Sequence, residues 1–165
     1  MKQALSPGGP NTQLHVLLAD DDRDDRFFFS KILRGLPIQT QLATVENGEQ
    51  LMAYLNENSE KLPDVLFLDL NMPRKNGSEC LSEIKHSQKL KDIPVIIYST
   101  SGHTEGSVDL YSKGAHYYFR KTNLSDTKAI LHHVLNLLLE SGFTRPPREK
   151  FVLTPAKEKA LMNKM

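Results

Sequence analysis

Three apolar runs in the chain each break off at polar chemistry: Val16-Leu17-Leu18-Ala19 at Asp20, Asp21 and Asp22; Leu66-Phe67-Leu68 at Asp69; and Pro94-Val95-Ile96-Ile97-Tyr98 at Ser99 and Thr100. Strand-like runs fall near residues 14–19, 39–45, 64–69, 94–99 and 116–120, and helical periodicity falls near 24–35, 48–57, 77–89, 104–113 and 124–139. This alternation predicts an α/β fold, a parallel sheet covered by helices on both faces through right-handed crossovers. Pro94 suits the first residue of a strand, where a missing N–H is tolerated. Gly35 and Gly114 stand where helices should stop, and Gly48 and Gly77 where turns hand over to helices.

In an open parallel sheet the ligand crevice lies beyond the carboxyl ends of the strands, so the acids after strands one and three should meet there with Ser99. Clustered carboxylates resist ionising together unless a cation compensates. Mg²⁺, an oxygen-seeking ion that keeps open water positions, is the expected compensation and leaves Asp69 able to act as a nucleophile toward phosphorus.

At 165 residues with ordinary apolar and charged fractions, the chain has enough material for one well-buried domain with appendages. A net charge of +1 argues against general nucleic-acid binding. No apolar segment reaches membrane-spanning length or follows a charged start, and the lone Cys80 cannot form an internal disulfide. A soluble, cytoplasmic protein with no nucleic-acid or membrane partner is the resulting expectation. Cys80 shares a helix face with Ile84 and reads as a small buried hydrophobe. The six histidines, His15, His86, His103, His116, His132 and His133, show no common metal-binding spacing, although His103 lies just beyond Ser99.

Residues 1–12, with Pro7, Gly8, Gly9 and Pro10, read as a flexible arm, and 13–140 as the domain. Residues 141–165 read as a basic tail: from Phe143 onward six Lys/Arg face two Glu, leaving the rest of the chain about minus three. In the first helix Phe28 and Phe29 are expected to share the core face with Ile32, Leu33 and Leu36, while Phe27 points away, as a stray aromatic or as a docking contact beside the acidic site. In the last helix Ile130, Val134, Leu137 and Leu138 form one stripe, widened by Leu131, Leu135 and Leu139. A second subunit or the segment with Phe143, Phe151, Val152 and Leu153 could cover that surplus; a wide core face is the third reading.

Order and spacing together carry a resemblance: an acidic pair after strand one, Asp69-Leu70-Asn71-Met72-Pro73 after strand three, Ser99 thirty residues after Asp69, and Lys121 twenty-two residues after Ser99. Over roughly residues 14–139 the chain resembles the receiver domain of bacterial two-component response regulators, closest to single-domain regulators with LDLNMP-type signatures, including those paired with bacterial phytochromes. The resemblance implies a flavodoxin-like doubly wound five-stranded sheet in the order 2-1-3-4-5. It implies Asp69 as phosphoacceptor from a histidine kinase or phosphotransfer protein, Asp21 as a direct Mg²⁺ ligand, Asp20 as a water-mediated one, and the Asn71 backbone carbonyl as a further oxygen. Lys121 and Ser99 would contact phosphoryl oxygens, and Ser99 with Tyr118 would form a switch. Output to a downstream protein would use helix four, strand five and helix five, and the 104–139 face is the candidate homodimer surface. Gly106 and sparse apolar content mark the fourth helix as a low-stability element.

Asp22, Asp24 and Asp25 stay outside this expected site: most should face solvent, with Asp22 or Asp24 capping the first helix. One departure from the family pattern is Thr122, where many members carry a cis proline after the lysine; a trans or differently shaped loop is expected. Three rival readings remain: a metal-dependent phosphatase with an aspartyl nucleophile, disfavoured because Asn71 stands where such enzymes resemble a second aspartate; a receiver relic that only binds; and a flavodoxin-like carrier, disfavoured by acids where a flavin phosphate would sit.

Overall fold

The computed structural model describes residues 13–100, 109–140 and 143–155. In chain order these form β1 (Leu14–Ala19), α1 (Arg23–Gly35), β2 (Thr40–Val45), α2 (Gly48–Glu57), β3 (Val65–Leu68), α3 (Gly77–His86), β4 (Val95–Ser99), β5 (Tyr117–Arg120) and α4 (Leu124–Leu139), then a 3-10 turn at Arg148–Lys150. All strand pairs are parallel, in the order β2-β1-β3-β4-β5. The sequence-predicted sheet is therefore present.

Alternating strand residues feed two cores. Leu17, Leu66, Leu68, Val95 and Ile97 pack with Leu51, Leu55, Cys80, Leu81 and Ile84 of α2 and α3. Val16, Leu18, Phe67, Ile96 and Phe119 pack on the other face with Phe29, Ile32 and Leu33 of α1 and Ile130, Leu131, Val134 and Leu135 of α4. A strand buried on both faces has no polar side to show, which is why β3 reads as an unbroken apolar run.

Each helix starts on a side-chain cap: Asp22, Asn47, Asn76 and Asn123 accept the N–H three residues on, and Asn76 with Glu79 forms a reciprocal capping box. Asp22, rather than Asp24, is thus the cap of α1. Phe28 departs from expectation. It is 51% exposed, whereas Phe29 is fully buried. The buried stripe of α1 runs Phe29, Ile32, Leu33, Leu36, and Phe28 sits about 100° round the helix from Phe29, beyond that stripe. Phe27 is exposed as well.

The expected helix at 104–113 lies largely outside the described residues, as do Gly106 and His103. Its last part, 109–114, is a turn in which Asp109 accepts from the Ser112 backbone and hydroxyl, closed by Gly114 at φ 105°. A Cβ there would come within 2.8 Å of Lys85 Cγ.

Beyond α4 the chain turns back onto β5. Tyr118 donates its N–H to the Phe151 carbonyl at 3.0 Å and accepts from Leu153 N–H at 2.8 Å, a parallel bridge centred on Val152. Phe151 is buried edge-on against Tyr111, and Phe143 stacks on His116. Burial pushes the His116 pKa down to about 3, so the ring is neutral in this stack. Arg145 lies 4.0 Å over the Tyr111 ring and bonds the Tyr111 and Ala115 carbonyls, and Arg148 pairs with Asp109 at 2.8 Å. The following segment thus pairs with β5, with Phe151 in the α2/α3-side core and Leu153 and Phe143 in the core shared with α4.

Candidate functional site

Backbone ladders bring four chain positions to one end of the sheet. Asp20 N–H bonds the Val45 carbonyl, Asp69 N–H the Ala19 carbonyl, and Lys121 N–H the Ser99 carbonyl. Asp20, Asp69 and Lys121 directly follow a strand and Ser99 ends one, so register fixes where each side chain emerges. Asp20 and Ser99 are fully buried and Asp69 nearly so, while Asp21 is exposed.

Gly77 sets the approach of α3. Its N–H bonds the Leu70 carbonyl, and a Cβ at that position would meet the Asp69 carbonyl oxygen at 2.2 Å. Only a residue without a side chain lets the α3 N-terminus sit against the Asp69 loop. In that loop the Asn71 N–H reaches Asp69 Oδ1 at 3.3 Å.

Lys121 is the hub. Its Nζ stands 2.6 Å from Asp20 Oδ2, 2.8 Å from Asp25 Oδ2 and 3.4 Å from Asp69 Oδ2, and 5.1 Å above the Tyr98 ring. Burial pulls the lysine toward deprotonation, but the hydrogen bonds it donates to Asp20 and Asp25 outweigh it and raise its pKa above the usual range. Asp20 Oδ1 also accepts the Asp22 N–H. Burial raises the Asp69 pKa to about 6, with Lys121 opposing and Asp20 adding to the rise; burial raises Asp20 as well, against Lys121.

Three carboxylates, Asp20, Asp25 and Asp69, thus face one ammonium, and Asp21 stands beside two of them. Asp20, Asp21 and Asp69 each present an oxygen within 4.8 Å of the others. An all-oxygen donor set with excess negative charge fits a hard divalent cation. Such a group could hold one, and with Lys121 could neutralise the oxygens of a phosphoryl group next to the Asp69 carboxylate.

Ser99 ends β4 and is buried at the site, whereas Tyr118 lies earlier along β5, opposite Ile97, buried in the core on the α2/α3 side with its backbone engaged by residues 151–153. Among the described residues no peptide bond is cis, that between Lys121 and Thr122 included. Three residues join the site beyond those expected there, among them Asp25, which the sequence reading places outside it. Asp25 contacts Lys121; Arg26 donates to the Asp20 carbonyl at 2.9 Å while pairing with Glu46; and Tyr98 lies under the lysine. Asp25 sits three residues beyond its own cap Asp22, a spacing that turns it back toward the strand ends. Burial pushes the Tyr98 phenol up to about 12, so it stays neutral beside the acids.

A family model described as the response regulator receiver domain matches residues 16–134. The response regulator Rcp1 of Synechocystis is 30% identical over 131 residues, covering 76% of this chain and 89% of its own length. The two-component response regulator ARR17 of Arabidopsis thaliana is 31% identical over 134 residues, covering 75% of this chain and 86% of its own. Among solved structures, the Mn²⁺-bound form of Rcp1 superimposes with a TM-score of 0.68 at 30% identity, covering 81% of this chain and 99% of that one. The phosphorylated cyanobacterial phytochrome response regulator RcpA does so with a TM-score of 0.70 at 30% identity, covering 82% of this chain and all of that one.

Proposed function

The chain belongs to the response regulator receiver domain family, and on that premise we propose that it is a single-domain response regulator whose Asp69 accepts a phosphoryl group from the phosphohistidine of a sensor histidine kinase or phosphotransfer protein. The supporting observation is the nearly buried Asp69 carboxylate within 3.4 Å of the Lys121 ammonium and within reach of two further acids. One Asp69 oxygen forms a bond to phosphorus as the donor's P–N bond breaks, and the imidazole leaves with the electron pair and takes a proton from water. Lys121 counters charge on the phosphoryl oxygens, and the Ser99 hydroxyl donates to one of them. Asp20, Asp21, Asp69 and the Asn71 carbonyl would hold Mg²⁺, which supplies two further positive charges to the same oxygens. Hydrolysis of the acyl phosphate returns the free carboxylate.

The added charge at Asp69 is relayed by Ser99 and Tyr118 to the β5 face, and a downstream protein reads that face. The phosphoacceptor unit is residues 13–140, and the 104–139 surface is where a second copy would pack.

Incubation with Mg²⁺ and acetyl phosphate tests this reading. The expected result is an intact-mass gain of one phosphoryl group in the wild type and none in Asp69→Asn. No adduct in the wild type overturns the phosphoacceptor reading, and steady turnover of a generic phosphate ester would favour the phosphatase.

A further inference from the structure

Lys121 bonds two carboxylates more closely than the proposed acceptor: Asp20 at 2.6 Å and Asp25 at 2.8 Å, against 3.4 Å to Asp69. Asp20 belongs to the candidate metal group, but Asp25 does not; it reaches the lysine from the first turn of α1. Its position there is built. Asp22 N-caps the helix by accepting the Asp25 N–H at 3.0 Å, the Asp22 N–H is in turn held by Asp20 Oδ1 at 2.9 Å, and Arg26 ties the next residue to the Asp20 carbonyl. The Asp25 side chain is about a third exposed, whereas that of Lys121 is 9% exposed, so the pair forms the outer wall of the lysine's enclosure.

An ammonium has three N–H donors, and here three carboxylates claim them. A phosphoryl group arriving on Asp69 brings more negative charge and draws Lys121 in from the 3.4 Å it keeps to Asp69, at the expense of one of the two shorter contacts. Asp20 is fully buried, so water cannot take over its share of the lysine; Asp25 is partly solvated, and water can. The contact that yields is therefore the one to Asp25. Until it yields, Asp25 holds the lysine at 2.8 Å, closer than the acceptor has it, and adds its own repulsion toward an anionic donor.

We propose that Asp25 is a positioning residue, a latch that holds Lys121 in the unphosphorylated protein and slows phosphoryl uptake by Asp69. This rests on the reading of Asp69 as phosphoacceptor. The latch sets the threshold for uptake from small anionic donors, and its release accompanies phosphorylation.

The test measures the initial rate of phosphorylation of the full chain by acetyl phosphate with saturating Mg²⁺, by intact mass, across a donor concentration series. Asp25→Asn should raise the rate about fivefold, the ceiling for a partly exposed ion pair, and Asp25→Glu should restore the wild-type rate. Asp24→Asn removes the same charge from the same helical turn, at an exposed side chain, and separates the specific contact from the general field of the helix. Its rate should stay near wild type at the ionic strength where Asp25→Asn is fast. A phosphorylated wild type with Asp25→Asn at an equal or lower rate overturns the latch alone, as does an Asp24→Asn rate matching that of Asp25→Asn. A wild type that gains no phosphoryl group overturns the acceptor reading and the latch with it.

Discussion

The Lys121 ammonium lies 2.6 Å from the Asp20 carboxylate, across 101 positions of sequence, and Asp20 is fully buried. Removing one partner of such a pair leaves an uncompensated charge in the interior. In metal-free protein Lys121→Met should therefore cost about 3 kcal/mol of unfolding free energy, read from urea denaturation. Saturating Mg²⁺ should recover much of that loss by standing in for the missing cation. An unchanged urea midpoint without Mg²⁺ would show that Asp20 is compensated elsewhere.

Asp69 has a folded-state pKa near 6 against 3.8 for an ordinary aspartate, because burial penalises its charge. The folded protein therefore holds a proton that the unfolded chain has released between about pH 4 and pH 6. The stabilisation is complete below the lower value and lost as pH rises through the upper one, on the order of 2 kcal/mol in metal-free protein. Asp20, shifted the same way, adds to that slope. Mg²⁺ binds the ionised form, so its effect on Tm should be larger at pH 7.5 than at pH 5. Differential scanning calorimetry with and without Mg²⁺ at the two pH values checks both signs.

Gly77→Ala would press a methyl group against the Asp69 carbonyl at 2.2 Å and Leu70 Cα at 2.8 Å. Both are backbone atoms that cannot rotate away. A loss of roughly 2 kcal/mol or more is expected, together with weaker Mg²⁺ binding as the Asp69 loop shifts. Gly35→Ala is the contrast: nothing lies within 4 Å of its Cβ, and stability should stay within about 0.5 kcal/mol of wild type. Thermal melts and a Mg²⁺ titration distinguish the two.

Phe151 is buried to 1% exposure among residues of the β5 face, although it lies beyond the last helix. Phe151→Ala should cost about 3 kcal/mol and speed hydrogen exchange at the Tyr118 amide, which donates to the Phe151 carbonyl. An unchanged Tm with unchanged Tyr118 exchange would mean that the segment contributes nothing to the fold.

The sheet and most of the acidic site could be read from the sequence because both follow from where apolar runs stop: a strand end fixes the next side chain, and Asp20, Asp69, Ser99 and Lys121 all sit at such ends. Asp25 was hidden because its role depends on reaching a lysine from another crossover, and a helical acid near an N-terminus has a sufficient local explanation in the dipole. Phe28 was misplaced because a helical stripe tells which residues are adjacent, not how far the sheet extends beneath them. The segment after α4 advertised itself by Phe143, Phe151 and Leu153, but apolar residues alone do not say whether they cover a helix or complete a strand edge.

The pairing of Val152 with Tyr118 occupies the outer border of the sheet with a stretch of the same polypeptide. A foreign extended peptide seeking those amide and carbonyl groups would compete against a tethered rival at an effective concentration on the order of millimolar. Casual strand addition at that border is thereby suppressed, and a binding protein that uses it must bring enough affinity to evict the resident.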